Sequence, residues 1–208
     1  MPSTLFHAAV GGLIAAALLP DGFDRRVLAV LALAVLIPEI DVFIGLWVEG
    51  AHRAYTNNVF VPLALAGLVH YDTAVRPRSW LRARWGPDAR RIAGVGVVVL
   101  AVAGIGLDLF ANGVNLLFPV VDQFYSLDGE VLLSDQRGLV QTVVDVEEST
   151  KGTTETQQYW TGVDPQPSNP GAEPADVERV FPLARSGSQI LLTVTGFAVV
   201  GYRLWRDE

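Results

Sequence analysis

Cysteine is absent and lysine occurs once, at Lys151. Without thiols there are no disulfides and no thiolate ligands, so His, Asp and Glu are the only strong metal ligands this chain can offer. Arginine carries nearly all the positive charge, since only one of the 15 basic residues is lysine, and 22 acidic residues bring the net charge to −7. An acidic, arginine-based balance of this kind suits a halophilic source, where solvated carboxylates keep a surface soluble. The chain also lacks an internal repeat and a phosphate-cradling glycine motif, which leaves a repeat-built transporter without support. What it has in quantity is apolar residues. Half of the 208 residues are hydrophobic and mean hydropathy is +0.35, yet 18% are charged. That mixture reads as a polytopic membrane protein with one polar appendage rather than as a soluble core.

Five apolar segments stand out, over residues 5–19, 27–38, 57–71, 92–110 and 190–204. The first two are short of the roughly 20 residues that a full span takes, and Glu39 and Asp41 interrupt the second. Thr56 is the expected N-cap of the third, Pro62 falls in its first turns, and Asn112-Gly113 is the expected stop of the fourth. The glycines between Gly94 and Gly106 fit close helix packing. No basic residue precedes the first segment, so it reads as a retained helix rather than a cleaved signal. The expected fold is all-α: a polytopic membrane bundle of about five helices with a small extracytoplasmic insertion. Residues 1–118 would form a four-helix membrane domain, 119–187 the insertion, and 188–208 a C-terminal transmembrane helix.

Arginine placement orients the bundle. Arg25 and Arg26 lie between the first two segments, six arginines from Arg76 to Arg91 crowd the link between the third and fourth, and Arg203 and Arg206 end the fifth. In a five-span chain these places share one side, and positive charge marks the cytoplasmic side. The N-terminus is then outside and the C-terminus cytoplasmic, in a multi-pass plasma-membrane protein. The six arginines, with Trp80 and Trp85, read as a topology signal and a headgroup anchor, so the expected partner is membrane lipid and not nucleic acid.

Ionisable groups at membrane depth are costly and usually mark a site. His7 lies inside the first apolar run, Glu39 and Asp41 at the exit of the second, His52 before the third and Asp108 inside the fourth. Under this topology all five fall at the outer face, which points to one shared polar site, and a metal would be the simplest way to satisfy it. Each residue also has a plainer reading. His7 and His52 could be interfacial, Glu39 and Asp41 could cap helix ends, and Asn57, Asn112 and Asn115 could satisfy backbone groups there.

The motif pattern resembles that of the YdjM-type family of membrane-bound, metal-dependent hydrolases. That family has an N-terminal histidine, Pro-Asp-x-Asp, His-Arg-Gly-x-Thr-His-Ser and a later His-x-x-x-Asp. Here His7 stands at the first element, Pro38-Glu39-Ile40-Asp41 at the second and His52-Arg53-Ala54-Tyr55-Thr56-Asn57-Asn58 at the third. Gly104 to Asp108, followed by Asn112-Gly113, stands at the last. The likeness covers residues 1–120. Asn57 replaces one histidine of the pattern and Gly104 another, which counts against a two-metal site.

The resemblance implies a membrane-embedded hydrolase working at the outer face on lipid or phosphoester substrates. One divalent ion, Zn- or Mn-like, would be held by His7, Asp41, His52 and Asp108, with Asn57 and Asn112 in support. Glu39 and Arg53 would be the catalytic residues, Glu39 as ligand or general base and Arg53 holding a phosphate or carboxylate. Two other readings stand beside it: a catalytically degenerate, non-enzymatic membrane protein that keeps the fold, and an ion transporter subunit using Asp41 and Asp108. In the insertion, twelve acidic residues face Arg137, Lys151, Arg179 and Arg185. Residues 130–134 and 139–146 read as a hairpin around the turn Asp135-Gln136-Arg137-Gly138. Such a ribbon is marginal alone, so it is expected to pack over the helices. Residues 149–175 read as irregular, and the insertion would serve as a lid, a partner surface or a solvated loop.

Overall fold

The computed structural model describes residues 3–19, 21–127, 131–141, 150–165 and 176–207. The protein is mostly helical. α1 spans Thr4–Leu18, opened by Ser3, whose hydroxyl accepts from Phe6 N at 3.2 Å. α2 spans Arg25–Ile44, opened by Asp24, which accepts from Arg26 N and Val27 N. In both, a short polar side chain takes up N–H groups that the first turn cannot pair.

The sequence suggested that helix two would break at Glu39 and Asp41. It runs on to Ile44 through Pro38 instead. Pro38 has no N–H to give the helix, and the loop after α2 binds the Pro38 carbonyl. Thr56 Oγ1 and Asn57 Nδ2 both donate to Pro38 O, at 3.0 and 3.1 Å. Thr56 is thereby spent, and the expected N-cap role passes to Asn58, whose Oδ1 accepts from Phe60 N and Val61 N. α3 then spans Phe60–His70 and relaxes into a wide π turn over Tyr71–Val75.

A short helix that composition did not announce follows, α4 (Trp80–Trp85). Asp72 creates its start by accepting from Ser79 Oγ, Trp80 N and Leu81 N. The fourth apolar run forms α5 (Ala89–Val99), a π segment (Leu100–Gly106) and α6 (Leu107–Ala111) in continuous succession. Gly113, at φ +94°, follows as the expected stop, and a side chain there would strike Tyr125 O. α7 spans Gly187–Asp207.

α1 packs against α7 and α2, α2 against α5, and α3 against α5. Leu19, Phe23, Val27, Val35, Val99 and Leu100 belong to the shared core. Small residues permit the closest approaches, as expected for helices that pack by shape. A Cβ on Gly196 of α7 would lie 2.5 Å from Ala9 O of α1. Arg203 of α7 caps the end of α1 by donating to Ala16 O (2.8 Å) and Leu19 O (2.6 Å). Among the described residues two helical stretches, Arg25–Ile44 and Ala89–Ala111, are long and apolar enough to cross a membrane. Thr4–Leu18 and Phe60–Val75 are apolar but shorter.

The insertion contains two small antiparallel pairs. β1 (Phe124–Tyr125) pairs with β4 (Thr150–Gly152), and β2 (Val131–Ser134) with β3 (Gly138–Gln141). The second is the expected hairpin, with Ser134 opposite Gly138; residue 130 and residues 142–149 lie outside the described residues. Leu133 and Leu139 of this hairpin are exposed, so these side chains do not pack on the helices as expected. The segment 150–165 does the covering: Tyr159 packs with Ala54 and Phe124, and Thr154 lies against Gly50, where no side chain would fit. Of the stretch expected to be irregular, residues 166–175 lie outside the described residues.

Candidate functional site

Six ionisable or amide side chains from four parts of the chain meet between α1, α2, α6 and the loop after α2. His7, Asp41, His52, Arg53, Asn57 and Asp108 are all buried. Asp41 is reached only because α2 continues past Pro38. Its Oδ1 accepts from His52 Nδ1 at 2.9 Å, and its Oδ2 accepts from Arg53 N at 2.8 Å and Asn57 Nδ2 at 3.0 Å. A buried carboxylate is tolerated when donors surround it, and both Asp41 oxygens are occupied this way.

Arg53 lies at the centre. Its side chain is 0% exposed. Nη2 donates to Asp108 Oδ1 at 2.6 Å, Nη1 donates to Gly113 O at 3.1 Å, and Cζ lies 4.8 Å from the centre of the Tyr159 ring. The guanidinium is thus bound by a carboxylate, a carbonyl and an aromatic face at once. The backbone is forced to suit. Arg53 has φ +66°, unusual for a residue with a side chain. It is held there by Arg53 N on Asp41 and by Asn115 N donating to Arg53 O at 2.8 Å.

His7 approaches from α1. Its Nδ1 bonds Ala103 O at 2.6 Å, and since a carbonyl only accepts, Nδ1 carries the hydrogen. Its Nε2 lies 3.5 Å from Asp108 Oδ1. Glu39 and Asn112 stand at the edge of the cluster. Glu39 accepts from Thr4 Oγ1 at 2.8 Å on the outside of the bundle, and the Asn112 carbonyl accepts from Tyr159 Oη at 2.9 Å. Gly104, where the family pattern has a histidine, faces Pro38 so closely that a Cβ would come within 3.0 Å of the proline ring. Helix contact fills the place of that side chain.

Three participants were not singled out as site residues from the sequence. Tyr159 closes the cluster from the insertion, its ring edge-on to His52 at 6.1 Å; burial raises its phenol above the ordinary range, which keeps it a neutral donor. Asn115 joins the Arg53 backbone to the insertion, donating from Nδ2 to Asp122 Oδ1 at 2.6 Å. Asp122 in turn accepts from Thr154 N and Oγ1. Ala54 packs beneath the Tyr159 ring.

Three buried atoms of the cluster have no hydrogen-bond partner among the described residues: His52 Nε2, Arg53 Nε and Asn57 Oδ1. The first fits one aspect of a metal ligand, because a metal-bound imidazole commonly has a carboxylate on its other nitrogen, as Asp41 is here. The rest of the donor set does not fit. Both Asp41 oxygens are taken, Asp108 Oδ1 is bound to a guanidinium, and among the described residues no three His, Asp or Glu side chains gather to hold an ion. No family model, curated protein or solved structure matches the chain.

Proposed function

We propose that this chain is a multi-pass membrane protein, N-terminus outside and C-terminus cytoplasmic, whose outer polar cluster is an arginine-centred ionic lock without enzymatic activity. The observation that carries this reading is the buried Arg53–Asp108 pair at 2.6 Å, its guanidinium wholly out of solvent. The guanidinium engages a carboxylate that the hydrolase reading assigns to a divalent ion. Removing either partner leaves an uncompensated charge, so the pair ties the loop after α2 to α6.

The outer surface of the helices supports the membrane setting. Leu33 of α2 is 59% exposed, Leu63 of α3 64% and Leu191 of α7 67%, with Leu36, Leu68 and Val194 similarly bare. Apolar surface on three helices of one bundle is a liability in water and a match for lipid. The absence of cysteine provides the test, because a single introduced Thr156→Cys can be labelled from one side at a time. Labelling from outside in sealed cells, in protein resistant to alkaline extraction, agrees with the topology; labelling only from inside overturns it.

A second reading, hydrolysis, draws on one observation. His52 Nε2 is buried without a partner while Asp41 holds the other side of the ring. An imidazole so oriented presents its Nε2 lone pair, the donor that a divalent ion would take in the hydrolase reading. Glu39 and Arg53 would then have little part, since one lies outside the cluster and the other is fully engaged. Elemental analysis of the purified protein separates the two readings: about one equivalent of Zn or Mn, lost in His52→Ala, would favour a metal-dependent enzyme.

A further inference from the structure

The opposite end of the bundle carries a second polar feature, unconnected with the Arg53 cluster. A cleft of about 500 Å³ opens where α4 and α5 meet the end of α1. Its inner wall is apolar, made by Leu18, Val95 and Val98. Its rim carries Arg82, Arg90 and Arg91, against one carboxylate, Asp88. Leu18 and Val98 are both partly bare, so the wall continues onto the apolar outside of the helices.

Two of the three arginines are uncommitted. Arg91 Nη2 donates to Leu18 O at 2.9 Å and fixes α5 to α1. Among the described residues the Arg82 and Arg90 side chains form no ion pair or hydrogen bond, although the chain has an excess of carboxylates. The cleft is also rigidly placed. Arg26 Nη1 donates to Trp85 O, joining α4 to α2, and Asp72 holds the α4 start. Trp80, on the same short helix, is exposed as an interfacial aromatic would be.

The geometry points to a binding site for one anionic phospholipid, its phosphate between Arg82 and Arg90 and an acyl chain along Leu18, Val95 and Val98. Charge selects this occupant. A net positive rim above an apolar wall matches a molecule with a negative head and a hydrocarbon tail, and a basic pocket between helices on the arginine-rich side is where such headgroups bind. The guanidinium fork pairs with two phosphate oxygens at once, which a single ammonium does not. The inference rests on the multi-pass reading, which places this end at the cytoplasmic leaflet.

Native mass spectrometry of the detergent-purified chain, titrated with phosphatidylglycerol or phosphatidylcholine, tests it. A one-lipid complex should form with phosphatidylglycerol at concentrations roughly 25-fold below those needed for phosphatidylcholine. Arg82→Gln/Arg90→Gln should abolish that preference, a difference of two surface charges at roughly a factor of five each. Arg76→Gln/Arg78→Gln, two arginines of the same link that do not line the cleft, should keep it. A phosphatidylglycerol preference undiminished in the Arg82/Arg90 variant, equal loss in the Arg76/Arg78 variant, or displacement of the lipid by excess inorganic phosphate would each overturn the site. The membrane reading fails separately, by release of the chain in alkaline carbonate. A chain that stays with the membrane yet shows no lipid preference removes only the site.

Discussion

Asp108→Leu removes the only carboxylate that pairs, among the described residues, with a guanidinium sealed from solvent. Arg53 keeps its bond to Gly113 O and its contact with Tyr159, but the charge has no counter-ion, and its partner distance of 2.6 Å leaves no room for bulk water to have shared the work. Breaking a buried pair from one side costs about 3–5 kcal/mol. In a chain of this size that lowers the unfolding midpoint by roughly 10 °C. Arg53→Met alone should cost a similar amount, because Asp108 is then left with His7 at 3.5 Å. The double variant Asp108→Leu/Arg53→Met should recover most of the loss, since replacing a whole buried pair by apolar groups of similar volume is often neutral. Thermal unfolding of the three variants in one detergent, followed by tryptophan fluorescence, measures the cycle. Single variants within about 0.5 kcal/mol of the parent, or a double variant as unstable as the sum of the two, would show that the pair is not an enclosed ionic lock.

Tyr159→Phe should cost about 1 kcal/mol through the lost bond to Asn112 O, and Tyr159→Ala about 3 kcal/mol or more by uncovering Arg53; cleavage at Lys151, the only lysine, by a lysine-specific protease should accelerate in that order. Gly196→Val should drive α1 and α7 apart, because the first added atom already meets Ala9 O at 2.5 Å, with a loss of roughly 2 kcal/mol or more in the same unfolding assay. For Asp122, burial pushes the carboxyl upward, but bonds from Thr154 and Asn115 outweigh it and hold it below its ordinary value. Its contribution is therefore complete above the unfolded value near 3.8 and disappears as pH falls through the lower folded value. The stability gap between the parent and Asp122→Asn should be constant near neutrality and close in acid; a gap that widens in acid would contradict the hydrogen-bond assignment.

The helices were legible because apolar runs announce themselves, and α7 and the fourth run appear close to where hydropathy put them. Their ends were less so. Pro38 and the carboxylates after it suggest a break, yet the helix runs on to Ile44, and Thr56 and Asn57, remote in sequence, bind the Pro38 carbonyl. α4 was hidden because it is only six residues long and carries no apolar run; Ser79 caps it by accepting from Arg82 N, and Asp72 adds bonds from Ser79, Trp80 and Leu81. At the site, the cost of burying a charge picked out His7, Asp41, His52 and Asp108 before any geometry was known. That cost says groups must be satisfied and does not say by what. From the sequence, Arg53 is expected to hold a phosphate or carboxylate of a substrate; in the fold its guanidinium holds the carboxylate of Asp108, from a backbone at φ +66°. Tyr159 lies over a hundred residues from His52 and Arg53, in an insertion whose composition signals solvation.

The most direct test is an experimental map of the protein prepared with excess Zn²⁺. The account predicts Arg53 Nη2 within hydrogen-bond reach of Asp108, near the 2.6 Å found here, and the guanidinium beneath Tyr159 whether or not zinc is supplied. Zinc density joining His52 Nε2 to Asp108, with Arg53 displaced toward solvent, would contradict it.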